Sequence, residues 1–348
     1  MSWQSMNSRI PGYREHFCCF PVVKHEIFVY LSLSMIEQSI PLQHQSAKRI
    51  GELSILLPSY NNECYSLVKK LHGQVSGIDG LRFEIIVADD GSTDRRTVEA
   101  NRPIDELPGC SYVERPCNVG RAGIRNFLAR SARYAYLLFI DSDMNLCSDD
   151  FVGKYLACGA SQVVYGSYVV LPPSVAPLHN LRYVYEYRGQ PDRACEVRRR
   201  NPHHDFHTSN FLIRREVMLA YPFDERFRYY GYEDVFFGRV LQDAGIPIEH
   251  IDNPTLFDRF ETNADFLAKT EEALQTLAQF SGELQGYSRL LSTVFFLRRH
   301  HLGRFVTLEH RLLGGYFRRR LLRNIPSMTV FKCYKLGFLY RLMLQTGF

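Results

Sequence analysis

The chain has 348 residues, of which 45% are hydrophobic and 23% are charged, a composition that excludes a chain disordered throughout. The formal net charge of +5 is unevenly distributed: residues 287–348 contain twelve Arg or Lys and a single acid, Glu309, so the remainder is acidic. This asymmetry predicts a neutral-to-acidic body and a basic C-terminal region that faces an anionic surface or substrate; a solvated basic helical face is the alternative.

The first fifty residues fit no standard targeting segment. The stretch FCCFPVVKHEIFVYLSLSMI (17–36) is apolar, but a proline and three ionisable residues interrupt it between positions 21 and 26. It is therefore neither a clean membrane-spanning helix nor a clean signal peptide. We expect a leader of uncertain order over residues 1–50, with Met35 as a candidate natural start.

Cysteine usage indicates the compartment. The nine cysteines are scattered, odd in number and without a C-x-x-C pair. This pattern favours free thiols in a reducing cytoplasm and gives no zinc motif.

From Leu53 the sequence alternates between apolar strands and amphipathic helices. Strands are predicted at 53–60, 83–90, 110–114 and 136–141, with a helix after each of the first three. Such alternation predicts an α/β fold with a mostly parallel central sheet and helices on both faces. Ligands of these sheets bind beyond the carboxyl ends of the strands, and each polar cluster of this region lies at such an end.

The pattern changes after residue 150. Residues 161–170 are predicted to form a strand, and the Arg-rich segment 181–207, which has no clear period, a loop-rich insertion that could close over a site. A strand with a short helix (210–221), a helix (232–245), a strand (246–251) and helices from 262 onward follow. The predicted domains are 51–262, divided into two halves (51–145 and 146–262), and a basic helical region, 263–348.

Asp141 and Asp143 end the strand 136–141 with two like charges, directly after four apolar residues. Residues two apart on an extended backbone point to the same side, so the two carboxylates face together. They either share a proton or bind a cation, and oxygen ligands at a strand end suit Mg²⁺ or Mn²⁺ bridged to a substrate phosphate. We therefore expect a divalent metal site here, although an acidic pair in a loop is in isolation a weak signal.

Asp89 and Asp90 end the strand 83–90. A turn closed by Gly91, followed by a helix cap, explains the residues after them but not two adjacent acids after an apolar run. A carboxylate at a strand end can also accept hydrogen bonds from a base or a ribose hydroxyl, which makes this pair a candidate nucleoside contact.

The segment NVGRAGIRN (118–126) places Arg121 and Arg125 one helical turn apart, on a common face. The planar guanidinium group donates two hydrogen bonds at once, which suits a diphosphate. A solvated helix face is the alternative interpretation.

The segment YYGYEDVFFG (229–238) places Glu233 and Asp234 at a helix start. The helix dipole alone favours acids at that position. However, the surrounding aromatic residues are typical of surfaces on which sugars dock, and a carboxylate beside such a surface can take a proton from an attacking hydroxyl.

Five segments together resemble family 2 glycosyltransferases of the GT-A fold: LSILLPSYNN, IIVADDGSTD, NVGRAGIRN, FIDSDM and GYEDVFFG occur in the order and spacing of that family. The resemblance covers roughly residues 52–260. It implies a GT-A, Rossmann-like domain that carries a C-terminal helical extension, with residues 51–145 as its nucleotide-binding half and residues 146–262 as its acceptor-binding half. It also implies metal-assisted transfer of a hexosyl or N-acetylhexosaminyl group from a nucleotide-diphosphate sugar to an acceptor hydroxyl, with inversion at the anomeric carbon.

The resemblance also implies roles for individual residues. The nucleotide-sugar site would comprise Pro58, Tyr60, Asp90, Arg121, Arg125, Asp141 and Ser142. Within this set Arg125 would face the diphosphate, with Arg121 as the second candidate. The Asp-x-Asp motif would bind Mn²⁺ or Mg²⁺ through Asp143 directly, together with Asp141. Asp234 would be the catalytic base and Glu233 a neighbour that holds the acceptor.

The third metal ligand departs from the family pattern. Relatives with an acidic Glu-Asp pair often supply a further ligand, frequently His, after the next strand. Here EHIDNPTLFDRF (249–260) has Phe257 near the expected position, so the candidates are His250 and Asp258, and Asp252 is also present.

The basic segment RRHHLGRFVTLEHRLLGGYFRRRLLRNI (298–325) lies outside the resemblance. It mixes Arg with Leu and Phe at helical spacing, which is consistent with an interfacial helix on an anionic bilayer. A helical annex packed on the body is the alternative. Enzymes of this kind often use a glycan or lipid-linked glycan acceptor at the cytoplasmic membrane face, in cell-surface polysaccharide synthesis, so a peripheral cytoplasmic location is expected.

Two hypotheses of other classes compete with the enzyme. One is a non-catalytic sugar-nucleotide or glycan-binding module on the same fold, and the intact pair Glu233-Asp234 argues against it. The other is a nucleic-acid binder that uses the basic tail. We expect no nucleic-acid partner.

Overall fold

The computed structural model describes residues 49–323 and 326–345. The expected leader over residues 1–50, with its candidate start at Met35, lies outside the described residues except for its last two positions.

Ten strands and twelve helices form the described chain. The strands are β1 (Glu52–Ser59), β2 (Arg82–Asp89), β3 (Cys110–Glu114), β4 (Tyr136–Ile140), β5 (Asn145–Leu146), β6 (Val163–Tyr165), β7 (Tyr168–Val170), β8 (Asn210–Arg214), β9 (Ile248–His250) and β10 (Thr255–Phe257). The helices are α1 (Tyr65–Ser76), α2 (Arg95–Asn101), α3 (Gly120–Ser131), α4 (Phe151–Leu156), α5 (Leu181–Gly189), α6 (Cys195–Arg198), α7 (Arg215–Ala220), α8 (Glu233–Asp243), α9 (Asn263–Gln279), α10 (Arg289–Arg299), α11 (Gly303–Leu321) and α12 (Met328–Gln345). Short 3₁₀ segments lie at Arg102–Glu106, Pro173–Val175 and Gln190–Arg193.

Seven strands form a mostly parallel sheet in the order β3-β2-β1-β4-β8-β6-β9. Strand β8 runs antiparallel to both of its neighbours, β4 and β6, and the other pairs are parallel. Three further short strands form a second sheet, in the order β5-β10-β7. The predicted α/β class with a mostly parallel central sheet is therefore confirmed.

The central strands are apolar at almost every position because both faces of the sheet are covered. In β1, Ile55 and Leu57 pack into the core on one face, whereas Leu56 between them packs into the core on the other. In β4, Leu138 alternates in the same way with Phe139, which stacks on Phe211 of β8 with ring centroids 4.9 Å apart.

Two predictions about the middle of the chain are wrong. The strand predicted at 161–170 is two strands in different sheets, β6 and β7, because the chain turns at Ser167, whose φ is +71°. The segment 181–207, predicted as loop-rich, begins with the helices α5 and α6. Asn180 caps α5 by accepting the amide N–H of Tyr183. Buried Glu186 pairs with arginines here, so polar residues interrupt the apolar period on which the prediction depended.

The C-terminal helices share a third core, separate from the two cores on the faces of the central sheet. Buried side chains of α5, α9, α10, α11 and α12 pack together in it, with Leu274, Leu291 and Leu339 fully enclosed. Among the described residues, none of the helices combines the length and apolar character needed to cross a bilayer. The boundary between residues 262 and 263 stays a prediction.

Candidate active site

A cleft of about 960 Å³ opens at the carboxyl edge of the central sheet. The strand ends supply one wall, including Pro58 after β1 and Asp143 after β4. Helices α9 and α12 supply the opposite wall, where Lys269 and Lys335 line the cavity. Parallel topology explains the first wall, because the carboxyl ends of neighbouring parallel strands lie at the same edge.

The two carboxylates of the Asp-x-Asp segment have different surroundings. Asp141 is fixed: its carboxylate accepts from Arg125 at 2.5 Å, and its amide N–H donates to the carbonyl of Ser209 at 2.9 Å. Asp143 lines the cleft, and among the residues the structure describes it has no ion-pair partner. Burial and the nearby charge of Asp141 raise the pKa of Asp143.

These residues fit a hard divalent cation. An unpaired carboxylate oxygen beside a second carboxylate is the donor set that Mg²⁺ and Mn²⁺ prefer, and a cation would relieve the repulsion that raises the pKa of Asp143. Within the described ranges 49–323 and 326–345 no group of three or more His, Cys, Asp or Glu side chains is placed so that it could hold a metal ion, which leaves the two carboxylates of Asp141 and Asp143 as candidate ligands. Substrate phosphate or water would complete the coordination, which is usual for Mg²⁺.

The structure does not support either candidate for the third metal ligand. The ring of His250 is buried and engaged at both nitrogens, at Nδ1 with Arg198 and at Nε2 with the carbonyl of Pro202. Burial lowers its pKa to about 4. Asp258 accepts two hydrogen bonds from Asn145, at 3.0 Å each, and like His250 it does not line the cleft.

Two arginines and two acids form a network at the base of the cleft. The guanidinium of Arg121 donates through Nε to Glu233 at 2.6 Å and lies 3.6 Å from Asp141. Arg125 bridges the same acids, at 2.5 Å to Asp141 and 3.9 Å to Glu233. The side chains of Arg125 and Glu233 are only 2% and 4% exposed, whereas that of Arg121 is 41% exposed.

This network changes two predicted roles. Arg125, expected to face the diphosphate, points instead to Asp141 in the interior, so of the two arginines of α3 only Arg121 has a substantially exposed side chain in the cleft. Glu233, expected to hold the acceptor, is buried beneath the cleft and holds Arg121. The physical reason is the same for both residues: an ionised group buried this deeply requires a partner of opposite charge.

The cleft is also lined by Pro58, Tyr60, Asp90 and Ser142, which the resemblance assigns to the nucleotide-sugar site. The Tyr60 ring is half-exposed. Asp90 is buried, which raises its pKa, and its two oxygens accept the amide N–H groups of Val119 and Gly120 at 3.0 Å each. Asp90 therefore fixes the start of α3. Its contact with a nucleoside stays a prediction, as does that of Ser142, whose hydroxyl accepts from Asn62 at 3.1 Å.

Asp234 reaches the cleft through an unusual turn. The preceding residues Gly231 and Tyr232 have φ of +92° and +68°, a conformation that is costly for Tyr and is often found at functional sites. Asp234 then lies in the first turn of α8, and its Oδ2 is 2.9 Å from Nδ1 of His207. An ionised carboxylate can only accept, so Nδ1 carries the proton.

Each member of this pair changes the pKa of the other. Burial would raise the pKa of Asp234, but the hydrogen bond and the charge of His207 outweigh it and lower the pKa. Burial would lower the pKa of His207, but the hydrogen bond and the charge of Asp234 raise it. At neutral pH Asp234 is therefore ionised and able to accept a proton.

His207 was not predicted as a site residue. It lies just before β8, whose antiparallel direction brings the amino end of that strand to the edge where β4 brings its carboxyl end, with Ile140 opposite Asn210. Sequence reasoning that considers only the residues after each strand therefore does not find His207. The only sequence signal was its place in the segment predicted to close over the site.

The aromatic surface around Asp234 is partly as predicted. Tyr229, Tyr230 and Tyr232 line the cleft. Phe237 is buried in the core against Phe223, with ring centroids 4.1 Å apart. The opposite wall contains Lys335, which the sequence did not indicate; its ammonium lies 5.0 Å from the ring centroid of Tyr185, and burial lowers its pKa to about 8.

Comparison with protein families gives a match consistent with this geometry. Residues 54–221 match the model of the family described as glycosyl transferase family 2. The matched segment ends before Asp234 and the C-terminal helices. It contains the strand ends, the arginine pair and His207.

Two curated relatives, both from Haemophilus influenzae and both named uncharacterized glycosyltransferase, are similar over part of their length. One is 34% identical over 100 residues, which is 28% of this chain and 38% of the relative; the other is 36% identical over 93 residues, 26% and 29%. The chain thus spans well under half of each. Among solved structures, the mannosyltransferase PcManGT from Pyrobaculum calidifontis, in complex with GDP-Man and Mn²⁺, aligns with a TM-score of 0.51 at 17% identity, over 84% of this chain and 86% of the other. That similarity concerns the fold.

Proposed function

We propose that the protein moves a sugar from a nucleotide-diphosphate donor to an acceptor hydroxyl with inversion, since residues 54–221 match the model of glycosyl transferase family 2. The observation that carries the proposal is the arrangement of one cleft. The carboxylate of Asp143, which has no ion-pair partner among the described residues, and the partly exposed side chain of Arg121 line the same cavity as the ionised Asp234. These are the charges that group transfer from a diphosphate requires.

The donor would lie across the sheet edge. We propose that the base rests near Pro58 and Tyr60, and that the diphosphate lies beside Arg121 and Asp143. Mn²⁺ or Mg²⁺, when bound, would neutralise the negative charge that develops on the leaving diphosphate. The GDP-Man and Mn²⁺ held by the archaeal mannosyltransferase support this class of donor and metal.

The chain's own residues supply the remaining steps. Arg121 would donate to the departing diphosphate, which lowers the energy of the separated charge. Arg125 and Glu233 would hold Arg121 and Asp141 in place from below. Asp234 would take the proton of the acceptor hydroxyl, with His207 fixing the orientation of its carboxylate. A single displacement of this kind inverts the anomeric centre.

We further propose that a hexosyl or N-acetylhexosaminyl group is transferred to a glycan or lipid-linked glycan in cell-surface polysaccharide synthesis. The acceptor would enter between the tyrosines before α8 and the wall formed by α9 and α12. Lys335 on that wall, which forms no ion pair among the described residues, would favour an acceptor with an anionic group such as a phosphate, whereas Lys269 already pairs with Glu261 at 3.2 Å. A cytoplasmic enzyme at the inner membrane face would meet such a lipid-linked acceptor.

The test is a panel of sugar nucleotides screened by thermal shift, with and without Mn²⁺, followed by turnover of the donor that binds. We expect one donor to raise the melting temperature only when the metal is present, by mass action. Asp143→Asn should abolish the metal-dependent shift. Asp234→Asn should keep the metal-dependent shift in melting temperature and lose turnover. If the protein were instead a non-catalytic binding module, the same variant would keep donor binding and would hydrolyse the donor as slowly as the wild type does. Donor binding that ignores both Mn²⁺ and Asp143→Asn would refute the proposal.

A further inference from the structure

Helix α11 has apolar side chains on two opposite faces. On the inner face Val306 and Leu321 are buried in the third core. On the other side Phe305 and Leu312 are each 70% exposed, Leu308 is 53% exposed and Tyr316 is 51% exposed. We call these four residues the outer face of α11.

The outer face is a continuous stripe. Its residues are spaced by three, four and four positions, so at 100° per residue they fall within an arc of about 80° on the helix surface. Leu321 lies about 180° from the centre of that arc and Val306 about 120° from it. A surface helix of a globular protein usually has charged or polar residues on the side away from the core, so this stripe indicates a second partner for α11.

Arginines border the stripe on both sides. By the same helical geometry Arg304 and Arg311 lie along one border and Arg320 along the other, about 75–105° from the centre of the stripe. All three are exposed, and within the described part of the chain none of them forms an ion pair. Glu309 is the single acid of α11, and the helix ends in three consecutive arginines.

The charge decides which partner this surface fits. A second copy of the chain, packed through the same face, would place these arginines against their equivalents. A nucleic acid would pair with the arginines but would leave four large apolar side chains unexplained. A bilayer of anionic lipids satisfies both features, because its phosphates meet the arginines while its acyl region accepts the apolar stripe.

We propose that the outer face of α11 docks on an anionic lipid bilayer, with the helix lying in the plane of the interface. The inference goes beyond the proposed reaction and does not depend on it. Docking through α11 is peripheral: the inner face stays in the protein core while the opposite face enters the lipid headgroup region.

The test is sedimentation of the full-length protein with vesicles, without any donor. Vesicles of phosphatidylcholine mixed with phosphatidylglycerol should bind the wild type, more weakly as salt increases, and vesicles of phosphatidylcholine alone should not. The double variant Phe305→Ser/Leu312→Ser should bind at least about tenfold more weakly, because it removes two large apolar groups from the contact. Replacing Arg304, Arg311 and Arg320 by Gln should remove the preference for anionic lipid.

A matched control uses two exposed apolar residues elsewhere. Val175 and Leu178 are 67% and 53% exposed, so Val175→Ser/Leu178→Ser removes similar apolar surface and should leave vesicle binding unchanged. Melting temperatures of all variants would show that each is folded. Wild-type protein that ignores anionic vesicles would overturn the proposal, as would equal binding by the Phe305→Ser/Leu312→Ser variant. A dimer in light scattering that the same variant dissociates would show instead that this face joins two copies.

Discussion

Glu233 and Asp234 are neighbours in sequence, and the structure separates their roles. Glu233→Gln removes a buried carboxylate that holds Arg121 at 2.6 Å and lies 3.9 Å from Arg125. Breaking a buried ion pair by removing one partner costs about 3–5 kcal/mol, because the remaining charge is left without compensation. Here Asp141 still pairs with both arginines, so we expect the low end of that range, about 3 kcal/mol.

Thermal and urea unfolding would measure this loss. For a domain of this size about 3 kcal/mol corresponds to a melting temperature lower by roughly 6 °C. Turnover of Glu233→Gln, measured well below its melting temperature, should fall because Arg121 loses its support. Donor affinity should fall with it.

Asp234→Asn is the matched control, one residue further along α8. Its carboxylate lies at the cleft surface and, among the residues that the structure describes, bonds to His207 and to the amide of Val235 alone, so we expect a melting temperature within about 2 °C of the wild type. Its turnover should nevertheless be lost. Equal stability of Glu233→Gln and the wild type, or equal destabilisation by both variants, would refute the division of roles between the two acids.

Two further variants test the cleft. In His207→Gln the imidazole no longer lowers the pKa of Asp234, so burial raises that pKa. The acidic limb of the pH profile of kcat/KM should therefore move to higher pH. An unchanged pH profile would contradict the pairing of the two residues. In Gly120→Ala the added Cβ would lie 2.8 Å from the carbonyl of Arg228 at a φ of +83°, so roughly 2 kcal/mol of stability and most donor binding should be lost. Gly73→Ala, a helical position with open space around it, is the control and should be neutral or slightly stabilising.

The acids that follow strands could be predicted because topology leaves them little choice. In a parallel sheet the ends of β1, β2 and β4 must share an edge, so Asp90 and Asp143 were placed in one cleft from the apolar runs that precede them. His207 depends on the antiparallel direction of β8, and the direction of a strand leaves no trace in its hydrophobic pattern. Its partnership with Asp234 is therefore visible only in three dimensions.

Helical spacing has a similar limit. It correctly placed Arg121 and Arg125 on one face of α3, but it could not show that one guanidinium is covered by the chain and the other is accessible. The start of α8 places Glu233 against Arg121 of α3, a contact between residues more than a hundred positions apart that helical spacing cannot reveal. The helix α5 was missed for a different reason: its charged residues interrupt the apolar period, although Arg182 and Glu186, one helical turn apart, pair at 2.9 Å.

The far wall of the cleft belongs to helices that also anchor α11. Lys269 and Lys335 face the cavity from α9 and α12, and α12 packs along α11 as part of the third core. The C-terminal region is consequently no removable appendage: a truncation after residue 262 would remove one wall of the cleft and expose an apolar core. Under the two proposals made above, sequence variation in these few helices would change both the choice of acceptor and the docking on a bilayer.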